Sequence, residues 1–375
     1  MSKQRVSCPN VALLAVAGIG LASIAIGCAG GEDGDASSST ASINAVATTT
    51  QIQDLVSQVG GADVNVTGIL KPNTDPHEYE PRPSDVEALT DADIVFKSGG
   101  HLDEWTEALV EDSGSAATVV DVSESLPVEL HGSEHEHGED SAHDHEGEHE
   151  EDAHSEAAHH SDESEHAEEE HAEEEHHADE GEHAEEEHGH DDEIDPHWWH
   201  DITNAEAAVA TIERSLSDLE PNEKETFEKN AAAYSDELGE LDRAIGKCVE
   251  SVPASDRKMV TDHEAFGYLA NRYDIEVVGT VIPALTTQAQ PSAGDLADLE
   301  STINEENVKA IFPESSVSRK LADALAGDTG VSSDYELFGD TLGPEGSGAE
   351  TYLEMMASNA DNLVRGLTGG EAGCG

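Results

Sequence analysis

Four side chains that could bind one metal ion are scattered along the chain. They are His77 in DPHEYEPRPSD, His197 in DPHWWHD, His263 in VTDHEAFGY and Asp340 in LFGDTLG. Three imidazoles and one carboxylate suit Zn²⁺ in a tetrahedral site, whereas a site for Mn²⁺ would carry more carboxylate oxygens. Two of the histidines share an Asp-Pro-His context, in which the proline fixes the backbone directly before the ligand. These residue types predict a zinc site assembled from distant parts of the sequence.

The hydrophobic pattern predicts how these side chains come together. Short runs rich in Val, Ile and Phe alternate with stretches of helical periodicity, which indicates parallel sheets. Each candidate ligand stands at the C-terminal end of a predicted strand or in the loop after one. Open parallel sheets place their ligand sites at the carboxyl ends of the strands, so the four side chains should meet there. The predicted strands cover residues 42–48, 63–70, 93–98, 118–123, 258–263, 275–282, 308–313 and 334–339.

A long helical stretch separates the two groups of strands. Its second part, residues 222–250, would be ~43 Å long at ~1.5 Å per residue. We therefore predict an α/β fold of two lobes with parallel sheets, joined by one long rigid helix, with the metal site in the interlobe cleft. The predicted boundaries are 42–203 for the N-terminal lobe, 204–252 for the linking helices and 253–375 for the C-terminal lobe.

The charge of the chain excludes one class of function. The formal net charge is -67, so a nucleic-acid binder that works through phosphate contacts is excluded. At ~1 M salt the Debye length is only ~3 Å, and self-repulsion of such an acidic protein is largely screened. We therefore predict a protein adapted to high salt, as in a halophile. The alternative is an ordinary acidic exported protein.

One segment has a composition unlike the rest. Residues 131–190 hold 26 acidic residues and 16 of the 21 histidines, without a single Lys or Arg. The segment has almost no large apolar residues to bury, so we predict a disordered insert over residues 131–192. Many histidines among carboxylates would bind Zn²⁺ weakly, which favours a collector that feeds the cleft. The alternative is an acidic solubilising insert with incidental metal affinity.

The start of the chain is typical of an export signal. Lys3 and Arg5 precede an apolar run over residues 11–26, which is short for a membrane span. Small residues and then Cys28 follow, with a polar linker over residues 28–41. This pattern resembles a lipoprotein cleavage site, with a signal peptide over residues 1–27 and lipidation at Cys28. A plain cleaved signal and an uncleaved anchor are the alternatives.

Two cysteines remain for the exported chain, Cys248 and Cys374. An exported compartment permits disulfides, so we predict a bridge between them; two free thiols are the alternative. Neither cysteine has a neighbouring Cys or His in sequence, which argues against a cysteine metal site.

The motifs around the four candidate ligands resemble those of a known family. Together with VFKSGGHLDEW and LGPEGSGAETYLEMM, they are similar to the zinc- and manganese-binding lipoproteins of ABC-type metal importers, the TroA-like cluster A-I solute-binding proteins. The similarity covers about residues 42–368. It implies that His77, His197, His263 and Asp340 are the metal ligands. Histidine at the third ligand position is typical of the zinc-binding members, and glutamate of the manganese-binding ones.

The resemblance also implies roles for neighbouring residues and partners. Glu314, in IFPESS, would orient a ligand, and His200 would be a neighbouring group or an alternative ligand, unless it is simply exposed. The implied protein is a monomer on the outer face of the cytoplasmic membrane. Held there by its lipid anchor, it would deliver Zn²⁺ to a membrane permease and catalyse no reaction. The alternatives are a manganese importer component, a metal-dependent adhesin active in cell adhesion, and a zinc hydrolase with Glu264 as its base.

Overall fold

The computed structural model describes residues 43–132 and 194–374. The first of its two sheets has four parallel strands in the order β2-β1-β3-β4. Apolar side chains of β1 and β3, the two central strands, are buried on both faces, as expected for a parallel sheet covered by helices. The strands are β1 (Ile43–Ala47), β2 (Val64–Gly68), β3 (Ile94–Lys97) and β4 (Thr118–Asp121), and the intervening helices are α1 (Thr50–Gly60), α2 (Pro83–Thr90) and α3 (Trp105–Ser113).

Two helices link the first sheet to the second. Asp201 caps the first of them, since its side chain accepts a hydrogen bond from the Thr203 backbone N–H at 2.8 Å. The second helix runs for 27 residues, which corresponds to ~40 Å. Its buried residues are spaced three, four or seven positions apart and form one apolar stripe. The helices are α4 (Ile202–Leu219) and α5 (Lys224–Glu250), and the stripe on α5 contains Phe227, Ala231, Tyr234, Leu238, Ile245 and Val249.

The second sheet has three parallel strands in the order β6-β5-β7. The largest hydrophobic core contains residues of both sheets, of α4 and α5, and of the last helix. The predicted fold class, α/β with two parallel sheets and a long connecting helix, is thus confirmed. The elements are β5 (Lys258–Thr261), α6 (Gly267–Tyr273), β6 (Glu276–Thr280), α7 (Ala293–Glu305), β7 (Ile311–Phe312), α8 (Lys320–Thr329) and α9 (Tyr352–Leu367).

The strand predicted over residues 334–339 is wrong. Only one isolated bridge, between Glu314 and Leu337, pairs this segment with its neighbour. Beyond Leu337 the pairing with β7 does not continue, because the Gly339 carbonyl accepts from Trp199 and His200 instead. On the opposite edge, the Phe338 backbone N–H and C=O both bond to the side chain of Asn359 on α9, so they are not available to another strand. Asp340 follows in a loop and does not end a strand.

Several predictions concern residues outside the described ranges. These are the signal peptide, the linker with Cys28, and most of the histidine-rich insert, of which only His131 and Gly132 are described. In the described part of the chain, no helix is both long and apolar enough to cross a membrane. The lobe boundaries at residues 203 and 252 stay a prediction.

Candidate metal centre

The structure brings the four predicted ligands together. One potential ligand atom from each of His77, His197, His263 and Asp340 lies within 4.8 Å of all the others. The Nε2 atom of His197 is 3.3 Å from Nε2 of His77 and 3.3 Å from Nε2 of His263. In a tetrahedral zinc site with ligands at ~2.0–2.1 Å, neighbouring ligand atoms lie ~3.3–3.4 Å apart. These spacings therefore fit a zinc ion at the centre of the group.

Asp340 faces the three imidazoles with both carboxylate oxygens. Its Oδ1 lies 3.3 Å from Nε2 of His197, and its Oδ2 lies 3.7 Å from Nε2 of His263 and 3.9 Å from that of His77. The side chain is fully buried, and neither oxygen accepts a hydrogen bond within the described residues. A buried carboxylate without hydrogen bonds is costly. A bound cation would supply the missing partner.

Carboxylates hold the rings of two of the histidines. The Nδ1 atom of His197 lies 2.7 Å from Oδ1 of Asp195, and the Nδ1 atom of His263 lies 2.7 Å from Oε1 of Glu314. The same two oxygens accept the backbone N–H groups of the histidines they hold. A carboxylate on Nδ1 keeps a proton on that nitrogen, so Nε2 is the atom that would bind a metal, with release of its own proton, as in carboxylate–histidine–zinc arrangements.

His77 is held differently. It lies in the loop between β2 and α2, and Asp75 accepts its backbone N–H at 2.9 Å rather than its ring. Within residues 43–132 and 194–374, no side chain forms a hydrogen bond with its Nδ1. The loop is bonded to the C-terminal half through Asp75, which accepts from Thr287 Oγ1 at 2.6 Å, and through the His77 carbonyl, which accepts from Gln288.

The electrostatics of the three histidines follow these contacts. Burial lowers the pKa of His77 to about 3, so its ring is neutral. Burial also acts to lower the pKa of His197, but Asp195 and Asp340 more than offset it and raise that pKa to about 10. The pKa of His263 is raised in the same way, by Glu314 and Asp340 against burial. Burial raises the pKa of Asp340, but the charge of His263 and the contact with His197 outweigh it and lower that pKa.

The backbone beside Asp340 is held from the N-terminal half. Trp199 Nε1 donates to the Gly339 carbonyl at 2.9 Å, and His200 Nε2 contacts the same oxygen at 3.1 Å. His200 is fully buried, and burial with the nearby His197 lowers its pKa to about 3, so the ring is neutral. Its Nε2 can only donate to this carbonyl, so His200 lies beside the group of four and outside it.

Sequence reasoning missed the role of Asp195. The Asp-Pro-His motif occurs twice, at residues 75–77 and 195–197, and gives the same signal at both places. Only the second aspartate reaches the imidazole ring. Gly339 was also missed: a Cβ there would overlap Glu314 Oε2, so only glycine lets that carboxylate stay on His263.

The two predicted cysteines are paired in the structure. Cys248, near the end of α5, and Cys374, after α9, form a disulfide with their Cα atoms 5.4 Å apart. The disulfide fastens the C-terminal tail to α5. The Cys374 backbone N–H also donates to Asp361 at 2.8 Å, which fastens the same tail to α9.

Comparison with known proteins defines the class. The family described as zinc-uptake complex component A, periplasmic (ZnuA) matches residues 45–366. The chain belongs to this family, which comprises extracytoplasmic metal-binding components of ABC importers and not enzymes.

Individual relatives differ in the metal they are named for. The chain is 29% identical to the manganese-binding lipoprotein MntA of Halalkalibacterium halodurans, over 93% of this chain and 96% of the relative. It is 30% identical to the zinc-binding lipoprotein AdcA of Streptococcus pneumoniae, over 86% of this chain and 55% of the relative. The solved structure of the periplasmic zinc-binding protein TroA from Treponema pallidum is 28% identical. That match covers 87% of this chain and 99% of TroA, with a TM-score of 0.67.

Proposed function

We propose that the protein captures Zn²⁺ outside the cytoplasmic membrane and delivers it to the permease of an ABC importer. The carrying observation is the convergence of three imidazoles and one carboxylate, in which Nε2 of His197 lies 3.3 Å from Nε2 of His77, from Nε2 of His263 and from Oδ1 of Asp340. Imidazole nitrogen is a preferred ligand of Zn²⁺, and four such atoms complete its usual tetrahedral shell. The matched family description, a zinc-uptake component, supports the same metal.

Mn²⁺ is the second candidate. It is favoured by relatives in Halalkalibacterium halodurans and Bacillus subtilis that are named manganese-binding lipoproteins. Mn²⁺ prefers an octahedral shell with several oxygen ligands. Here only Asp340 offers carboxylate oxygens to the group of four. The donor set therefore favours Zn²⁺ over Mn²⁺.

A competition experiment decides between the two metals. Protein stripped of metal with a chelator is offered equal concentrations of Zn²⁺ and Mn²⁺, and the bound metal is measured after gel filtration. We expect one tightly bound Zn²⁺ per chain and displacement of Mn²⁺ by Zn²⁺. A matched variant, His263→Glu, adds a carboxylate and should shift the preference toward Mn²⁺. Displacement of Zn²⁺ by Mn²⁺ in the unmodified protein would overturn the assignment.

The membrane attachment in this account is a lipid anchor at Cys28. Each buried CH₂ of a lipid chain contributes ~0.8 kcal/mol, so two chains hold a protein stably on a membrane surface. Several relatives are named lipoproteins, which supports this attachment. A Cys28→Ser variant should appear in the soluble fraction of expressing cells. Retention of that variant on the membrane would argue against the anchor.

Release of the metal to the permease requires the ligands to separate. The α5 helix, with one apolar stripe buried along its length, resists a wide hinge motion, so release would follow a small tilt between the two halves. X-ray scattering of the metal-free and zinc-loaded protein should give nearly the same radius of gyration. A large change in that radius would contradict the small tilt.

The histidine-rich insert has a proposed role in collecting zinc. The insert over residues 131–192 would collect zinc weakly beside the tight site, so its deletion should remove weak binding and keep one tight zinc. Loss of the tight site on deletion would contradict this role.

The rest of the chain is acidic as well. Outside residues 131–190 it still has 58 acidic and 17 basic residues, which supports adaptation to high salt. Thermal melting should then occur at a higher temperature in molar salt than in dilute buffer.

A further inference from the structure

The loop that carries Asp340 is held by an amide side chain in place of a sheet. Asn359 of α9 accepts the Phe338 backbone N–H at its Oδ1, at 2.8 Å, and donates from its Nδ2 to the Phe338 carbonyl, also at 2.8 Å. This is the pair of hydrogen bonds that one residue of a neighbouring strand would supply. Asn359 is fully buried, so both bonds form away from water.

Phe338 is two residues from Asp340, and the segment between them is tightly restrained. Gly339 is bonded through its carbonyl to Trp199 and His200. After Asp340, the Thr341 hydroxyl accepts the Asn73 backbone N–H at 3.1 Å, and the Leu342 backbone N–H donates to Thr50 Oγ1 at 2.8 Å. Among the described residues, the last hydrogen bonds before Asp340 that come from the C-terminal half are therefore the pair at Phe338.

We propose that Asn359 is a positioning residue that sets where the Asp340 carboxylate stands relative to the three imidazoles. The proposal rests on the proposed function, in that Asp340 is taken as a metal ligand. Asn359 touches neither the metal nor a ligand, and acts through the backbone of Phe338 and Gly339. Without it, the loop loses its anchor to α9, and the carboxylate oxygens no longer converge with His197 and His263.

The chemistry requires an amide at this position. One atom must accept from N–H and the other must donate to C=O, which an asparagine does and an ionised aspartate does not. In an Asn359→Asp variant of equal shape, a carboxylate oxygen faces the Phe338 carbonyl. The loop must then move to relieve the contact between two acceptors, because a buried unpaired acceptor is costly.

A matched control lies one helical turn away on the same helix. Asn362 Nδ2 donates to the Glu336 carbonyl at 2.8 Å. Residues three apart on a helix share a face, so both asparagines hold the same segment through its backbone. Asn362 contacts residue 336, four positions before Asp340, and makes one bond where Asn359 makes two. An Asn362→Asp variant therefore tests for a general loss of packing at α9.

The test compares zinc affinity and ligand geometry in the full chain. Asn359→Asp, Asn359→Ser and Asn362→Asp are titrated with Zn²⁺ in competition with a chromophoric chelator, at a temperature where circular dichroism shows each to be folded. Replacing a residue that orients a metal ligand typically costs ~10–100-fold in affinity. We expect a loss of that order in Asn359→Asp, a smaller one in Asn359→Ser, and less than ~3-fold in Asn362→Asp. Asn359→Ser decides the question if Asn359→Asp does not fold.

Bound Co²⁺ reports the geometry separately from stability. The visible absorption of tetrahedral Co²⁺ should weaken and shift in the Asn359 variants and stay unchanged in Asn362→Asp. Equal affinities and spectra in all folded variants would overturn the proposal. Asp340→Ala is the reference: if it binds zinc as tightly as the unmodified protein, the proposed ligand set fails, whatever the Asn359 variants do. If it loses zinc and the Asn359 variants do not, only the positioning role fails.

Discussion

The proposed metal centre has two unlike parts, a buried pair of histidines held by carboxylates and a more exposed third histidine. His197 and His263 are fully buried, and each has a carboxylate 2.7 Å from Nδ1. His77 keeps 8% of its side chain exposed and lies in a long loop that is bonded to the opposite half through Thr287 and Gln288. The buried pair is oriented before any metal arrives, whereas the position of His77 depends on contacts between the two halves.

The surroundings of His77 indicate where metal enters and leaves. A cavity of about 600 Å³ opens against its loop, lined by Asn73, Asp75, Tyr79 and, from the other half, Ser316. Of the four proposed ligands, His77 is the most exposed, since the other three are fully buried. We expect it to be the last ligand to bind the incoming ion and the first to let go when the halves tilt. Three experiments test this difference, in order of decreasing expected effect.

Removal of single ligands should give the largest difference in zinc affinity between the buried pair and His77. Structural zinc sites bind with ~10–16 kcal/mol, or roughly 2.5–4 kcal/mol per ligand for four ligands, which corresponds to ~60–700-fold in affinity. His263→Ala should lose at least that much, because it also leaves Glu314 buried without its partner. His77→Ala should lose less, since water can enter at the exposed corner. Competition titration with a chelator measures both, and equal losses would contradict the comparison.

Neutralising the carboxylates that orient the histidines should also lower zinc affinity, but by less than the removal of a ligand. Glu314→Gln keeps the shape of the side chain but removes the charge that holds His263, and should cost ~10–100-fold in zinc affinity. Asp195→Asn should lower zinc affinity by a similar factor, because Asp195 holds the ring of His197 in the same way. Asp75→Asn is the matched control, because this aspartate bonds the backbone of His77 and not its ring. An asparagine oxygen can still accept from Thr287, and the cost in zinc affinity should stay below ~10-fold. A larger loss in Asp75→Asn than in Glu314→Gln would reverse our interpretation.

Metal removal should alter the dynamics of the His77 loop more than those of the buried pair. Zinc at 100 times its Kd stabilises the folded state by ~2.7 kcal/mol. Amide hydrogen exchange with and without zinc should show that the added local protection is greatest in residues 69–82. The segments around His197 and His263 should already be protected without metal. Equal gains in all three segments would show that the buried pair also becomes ordered on binding.

Much of the fold was predictable because the strands are compact apolar runs. IVFK and KMVT form β3 and β5 within the predicted ranges, and α5 differs from its predicted range only at its N-terminal end. The segment ending in YELFG also contains large apolar residues, yet it forms no strand. The side chain that replaces its partner, Asn359, comes from a helix 21 residues further on. No local pattern in the sequence carries that information.

The candidate site was predictable in its ligands but not in their support. Histidines and aspartates in characteristic motifs can be recognised one at a time. Which aspartate of the two Asp-Pro-His motifs reaches the ring depends on the loop after β2 and on the turn before α4, and so on tertiary packing. The contact of Trp199 and His200 with the Gly339 carbonyl joins residues 139 and 140 positions apart. Such contacts become visible only once the chain is folded.

The most direct test of the central claim is a crystal structure of the zinc-loaded protein with anomalous data at the zinc absorption edge. The account predicts one strong anomalous peak between the two halves, ~2.0–2.2 Å from Nε2 of His77, His197 and His263 and from a carboxylate oxygen of Asp340. A peak that is bound without these residues, or the absence of a peak among them at saturating zinc, would contradict it.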